Sequence, residues 1–284
     1  MPTTVRALIA LLYATAAATV AVEVLNWAYA PEQGWPLAVR TGWALLRTVG
    51  FLILVWHVRR GRAGAKPFGL ILAVTTVFAV GRLVVPREGV PPLPGVIGFA
   101  VLTALCIAVI WLLYKAPTLQ QHLVRHPGRL VIDKRGVGWQ ESAPRRPQVA
   151  AWLLTARIAV FTYAPLMLVP ALVSVGEVVG RRVSPGTAPL LVLWFVAAIL
   201  LSNVVLFATI FLMRGKSWPR PLLVSVTLLV LAISLPLCWV FLGLDGLVRD
   251  GAPLTAAAGI ALFGLWRTRR VAESQAVSRE PVVA

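Results

Sequence analysis

The chain has 284 residues, of which 59% are hydrophobic and only 13% charged. Those proportions lie outside the soluble range and specify an integral membrane protein. The net charge of +17 does not indicate nucleic acid, because the Lys and Arg residues sit in short loops between apolar runs and no soluble basic domain exists to gather them.

Arg6 precedes the first apolar run, Ala7 to about Tyr29. Its Ala14-Thr15-Ala16-Ala17-Ala18 also fits the cleavage site of a signal peptide, but the run is longer than a typical signal core. It is read as a first span. A second span from about Leu37 to Val58 ends in His57-Val58-Arg59-Arg60-Gly61-Arg62, a strong cytoplasmic anchor. A third runs from about Pro67 to Val85. The fourth, about Leu93 to Tyr114, closes on Trp111 and Tyr114, as suits an interface.

A polar middle stretch, 115–148, follows. It carries seven Lys or Arg against Asp133 and Glu141, so it is expected to stay cytoplasmic. Its opening, Thr118 to His126, extends the preceding helix along the membrane surface. Its centre, Arg129 to Trp139, reads as a small β-hairpin with Lys134-Arg135-Gly136 at the turn.

The fifth span, about Val149 to Val179, holds Pro165 and Pro170 and is expected to kink. The sixth runs from about Ala188 to Met213. The seventh, about Pro221 to Leu244, contains Pro236. The eighth, about Ala252 to Trp266, is short for a span and ends at Arg267-Thr268-Arg269-Arg270. The expected class is thus an all-α polytopic membrane protein of about eight spans. Its divisions are a first half at 1–114, the basic loop at 115–148, a second half at 149–270 and a disordered tail at 271–284. With both termini cytoplasmic, the inner segments carry nineteen Lys or Arg and the outer loops four. That asymmetry fixes the orientation. Abundant Arg, Ala, Val, Gly and Pro fit a GC-rich bacterial genome, and the expected location is a bacterial plasma membrane.

The halves resemble each other. Val5 to Tyr13 is similar to Ala156 to Tyr163, Glu23 falls opposite Glu177, and Gly61 to Pro67 opposite Gly215 to Pro221. Each half has an even number of spans, so two copies would be parallel, related by an axis along the membrane normal.

Arg47 lies near the centre of the second span, where facing lipid would cost at least ~2.5–3.5 kcal/mol. It must look inward, as must Arg40 one heptad earlier. Counted by depth, Arg40, Arg82 and Glu23 share an outer layer that permits a Glu23–Arg40 or Glu23–Arg82 pair. No carboxylate falls at the level of Arg47, leaving hydroxyls, freed carbonyls, Asn203 or an anionic ligand as its partners. Arg40, Arg47, Glu23, Arg82 and Asn203 are the candidate ligand-binding residues. Arg157, near the inner end of its span, reads as structural.

No catalytic motif is present. The Gly215-Lys216-Ser217 run lacks the earlier glycine of a phosphate loop, with Ile210 in its place. His122 and His126 are four apart but too few for a metal site, and Cys106 and Cys238 read as small buried hydrophobes at different depths. No cofactor or metal is expected. Ala10, Ala14 and Ala18, like Ala100, Ala104 and Ala108, form small-residue stripes expected to mark close helix packing. The leading expectation is a non-enzymatic, permease-like protein with an intramembrane Arg site. The alternative is an accessory or scaffold subunit whose basic loop docks a protein partner or anionic lipid.

Overall fold

The computed structural model describes residues 2–30, 33–84, 92–123, 128–133, 136–141, 151–180 and 185–277. Its helices are α1 (Thr3–Ala28), α2 (Trp35–Arg59), α3 (Ala65–Val80), α4 (Pro92–Lys115), α5 (Pro117–His122), α6 (Ala151–Phe161), α7 (Tyr163–Val179), α8 (Ala188–Met213), α9 (Pro219–Gly246) and α10 (Ala252–Val277). Two strands, β1 (Gly128–Asp133) and β2 (Gly136–Glu141), pair antiparallel from Gly128↔Glu141 to Asp133↔Gly136. The hairpin's connecting residues 134–135 lie outside the described residues.

Among the described residues, six helical stretches are long and apolar enough to cross a membrane. They are Thr3–Ala28, Trp35–Arg59, Leu93–Lys115, Ala151–Gly176, Ala188–Met213 and Pro219–Thr268, with Ala65–Val80 a shorter apolar helix. Rows of Leu, Val and Ile stand exposed on their outer faces, Leu45, Leu46, Val49, Leu52 and Ile53 on α2 among them. Such a surface is stable against lipid tails and would aggregate in water. The chain is a membrane-embedded helical protein.

Two apolar cores divide the molecule. One gathers Leu8, Leu12, Phe51, Leu54, Cys106, Val109 and Leu113 from α1, α2 and α4. The other gathers Tyr163, Met167, Trp194, Val205, Val230 and Ala261 from the later helices. The halves meet where α2 packs on α7 and where α3 packs on α6 and α10. At one end of that seam the Trp35 indole donates to the Leu172 carbonyl at 2.7 Å.

Several expectations need correction. The alanine stripes do not mark packing: Ala10, Ala14, Ala100 and Ala104 are exposed, and the buried faces are Val5, Leu8, Leu12, Thr15 and Thr19 on α1 and Leu102, Cys106, Val109 and Leu113 on α4. Lipid tails are as apolar as a core, so residue size alone does not choose the packed face. The middle segment does not extend α4, because Ala116 is extended (φ −78°, ψ 110°) and turns the chain into α5. There Leu119 and Leu123 tuck under the first half, and His122 Nε2 lies 3.0 Å from the Val58 carbonyl. His126 is outside the described residues.

The fifth span breaks at Thr162, between α6 and α7. Pro165 has no N–H to donate to the Phe161 carbonyl, so the bond that would carry the helix across cannot form. The last helix is longer than the expected eighth span, which ended at about Trp266: α10 runs on through Val277. Between α9 and α10 the chain reverses. Gly243 takes φ 65° and ψ −162° inside α9, a conformation open to glycine, and Leu247–Gly251 form a π turn. Tyr163 hydrogen-bonds Thr227 of α9 at 3.0 Å, whereas Gly264 of α10 lies against Trp152 and Ala156 of α6. Gly251, just before α10, also lies against Leu235 of α9, so α10 folds back along α9.

Candidate anion cavity between the halves

The buried face of α2 is Ala44, Arg47, Phe51, Leu54, Val55 and Val58. Arg40, Trp43 and Arg47 continue it, since positions i, i+3 and i+7 share one side of a helix. This side meets α7, so both guanidinium groups are carried to the seam between the halves. There Arg40, Trp43, Arg47, Ala79, Leu166, Val169, Pro170, Arg249, Asp250 and Pro253 enclose a cavity of about 30 Å³. That is room for about two water-sized spheres.

Each wall has a local cause. Arg47 is only 6% exposed, with its Cζ 6.0 Å from the Trp43 ring centroid. Pro170 fixes the α7 wall, and its carbonyl accepts the Ser174 hydroxyl at 2.8 Å. The third wall is the reversal after α9. Arg249, also 6% exposed, donates from Nη2 and Nε to Asp250 Oδ2 at 2.9 and 3.1 Å. Its Nη1 donates to Asp245 Oδ2 at 2.9 Å. An arginine so deep needs carboxylate partners to offset its desolvation, and the Asp245–Arg249 spacing of one helical turn supplies one.

Among the described residues, three guanidiniums and one carboxylate therefore line the cavity. In surroundings of low dielectric, such groups hold an anion through charge-assisted, bidentate hydrogen bonds. Among the described residues no group of three His, Cys, Asp or Glu side chains could hold a metal ion.

The candidate residues divide. Arg40 and Arg47 come together at the cavity. Glu23, 6% exposed, is not among the residues that line it; it lies between α1 and α2, where its carboxylate accepts Asn26 Nδ2 at 3.2 Å and the Thr41 hydroxyl at 3.3 Å. The Trp27 indole donates to the same hydroxyl at 2.7 Å. Asn203 takes no part: it is exposed on α8 and donates to the Ile199 carbonyl of its own helix at 2.8 Å. The side chains of Arg82 and Glu177 lie outside the described residues. Arg157 lies over the Phe161 ring at 5.6 Å, away from the cavity.

Sequence reasoning missed Arg249 and Asp250, which it assigned to an outer loop, and with them the carboxylate brought to the cavity of Arg47. The signal was present as Asp245-Gly-Leu-Val-Arg249-Asp250, three charges within six residues that include two of the three carboxylates of residues 149–270. Comparisons with protein families, curated proteins and solved structures give no match.

Proposed function

We propose that the chain crosses a bacterial plasma membrane eight times, as two parallel four-helix copies with cytoplasmic termini, and that it passes a small anion through the cavity between them. The count of eight takes α9 and α10 as separate crossings, because the chain reverses between them. It also takes α3 with its 3-10 extension, Gly81–Val84, as a crossing of about 32 Å, enough for a hydrocarbon core of about 30 Å.

The duplication is supported by register. Gly61 and Gly215, 154 residues apart, both take positive φ just after the second helix of their half. At that offset buried Ala44, Phe51, Leu54, Val55 and Val58 of α2 fall on buried Ala198, Val205, Ala208, Thr209 and Leu212 of α8. In each half the first span packs on the second and the fourth. The seam does not repeat in the same way: α2 leans on α7, and no comparable contact joins α8 to α1.

The observation that carries the anion reading is the convergence of Arg40, Arg47 and Arg249 on one cavity at the seam. Two experiments test it. Single cysteines along α2, in a Cys106→Ala, Cys238→Ala background, should react with a water-soluble thiol reagent at positions 40, 43 and 47 and not on the opposite face. Proteoliposomes of the full chain should swell in isosmotic chloride, nitrate or formate, and Arg47→Leu should abolish the swelling. Absence of labelling beyond position 40, together with flux unchanged in Arg47→Leu, overturns the reading.

A further inference from the structure

At the opposite end of α2 from Trp35 lies a second arrangement of arginines. The helix closes in a Schellman turn: Gly61, at φ 64°, donates its N–H to the Val58 carbonyl at 3.0 Å, and Arg62 donates to the His57 carbonyl at 3.0 Å. Because Gly61 turns left-handed, the chain folds back and Arg62 returns to the side of the helix that Arg60 occupies. Both guanidiniums then lie over one indole, with Cζ 4.4 Å (Arg60) and 4.1 Å (Arg62) from the Trp56 ring. Arg59 adds a third, donating to the Tyr13 hydroxyl at 3.4 Å.

Two like charges on one ring repel each other, and the indole face offsets only part of that. No Asp or Glu occurs anywhere in residues 33–87 to neutralise them. The pair is nevertheless held in place, by the cap geometry and the ring together. Its depth also matters. Trp35 and Trp56 are 21 residues apart on one helix, about 32 Å, which matches the hydrocarbon thickness. If Trp35 marks one interface, Trp56 and its guanidiniums stand at headgroup level on the other.

We propose that Trp56, Arg60 and Arg62 form a binding site for the phosphate of an anionic phospholipid. The guanidiniums donate to the phosphodiester oxygens while the indole packs on the glycerol and upper acyl region. An anionic headgroup is preferred to phosphatidylcholine because the choline cation would be repelled by the third arginine, Arg59. The corresponding turn of the second half is a built-in comparison. Gly215, at φ 78°, donates to Leu212 at 3.1 Å and Lys216 to Phe211 at 3.2 Å, so the cap is the same. However, Arg214 reaches only 5.9 Å from the Phe211 ring, and Ile210 stands at the position of Trp56. One turn is a paired cradle and the other is a cap with loose charges.

The test titrates the full-length protein in detergent with phosphatidylglycerol or phosphatidylcholine and counts retained lipid by native mass spectrometry. The site predicts preferential retention of phosphatidylglycerol, lost roughly thirtyfold in the double variant Arg60→Gln, Arg62→Gln. The matched double variant Arg214→Gln, Lys216→Gln, which removes the same charge, should lose far less. Arg60→Lys with Arg62→Lys should restore binding only in part, since an ammonium neither stacks flat nor binds bidentately. Millimolar inorganic phosphate should not displace the lipid. Equal losses at the two turns, equal retention of the two lipids, or displacement by free phosphate would each overturn the proposal.

Discussion

The second helices of the two halves, α2 and α8, have the same buried register and the same terminal turn, yet they face different tasks. At the offset that superposes their glycine caps, Arg40 falls on Trp194 and Arg47 on Leu201. Trp194 is fully buried and stacks on Phe241 of α9 at 6.1 Å. The polar residues nearest to the Arg47 position in α8 are satisfied within the helix: Ser202 bonds the Ala198 carbonyl and Asn203 the Ile199 carbonyl. An apolar face thus closes the second half on itself, while a cationic face turns α2 toward a neighbour. The lesson is that one helical frame accommodates a core or a site, depending on what stands opposite. Opposite the arginine face of α2 stand α7 with Pro170 and the charged reversal after α9; the Trp194 face of α8 packs on Phe241 of α9 instead.

The largest effect is expected where that reversal is broken. Arg249→Ala leaves Asp250, whose side chain is only 12% exposed, lining the cavity without its ion-pair partner, and should cost about 3–5 kcal/mol of unfolding free energy in micelles. Removing both, as Arg249→Leu with Asp250→Leu, should recover most of it, since the uncompensated charge is gone as well. A loss below about 1 kcal/mol for Arg249→Ala would mean that the triad behaves as a surface pair.

Next in size is the converse exchange. Leu201→Arg places a guanidinium at the corresponding position of α8, where Leu201 packs against the apolar core, and should destabilise by about 2.5–3.5 kcal/mol. If the variant unfolds with wild-type stability, α8 has a polar neighbourhood of its own and the contrast between the halves fails.

The smallest effect tests what the halves share. Gly61→Ala and Gly215→Ala should each cost about 1–2 kcal/mol, because a Cβ is strained in the left-handed region. The two losses should be alike in thermal unfolding, even though only the first turn carries the paired arginines. Unequal losses would show that the caps are not equivalent.

Much of this was legible before any fold was known. The membrane class and the bounds of α8 follow from local quantities, namely apolar length, proline and glycine position and the placement of charge. Arg47 was legible as an inward-facing residue because its desolvation admits no other outcome. Lys134 and Arg135 at the hairpin turn, and the last residues 278–284, fall outside the described residues.

What the chain alone could not settle was which faces meet. In water, hydrophobic periodicity names the packed side of a helix. In a bilayer that contrast disappears, and the alanine stripes of α1 and α4 accordingly turned out to face lipid. For the same reason Arg249 and Asp250, 202 and 203 residues from Arg47 in the chain, could be joined to it only by the tertiary structure. Local chemistry determined that there would be several membrane-length apolar helices and an arginine turned inward; the packing of α2 on α7, and the reversal at Gly243, decided what stands beside it.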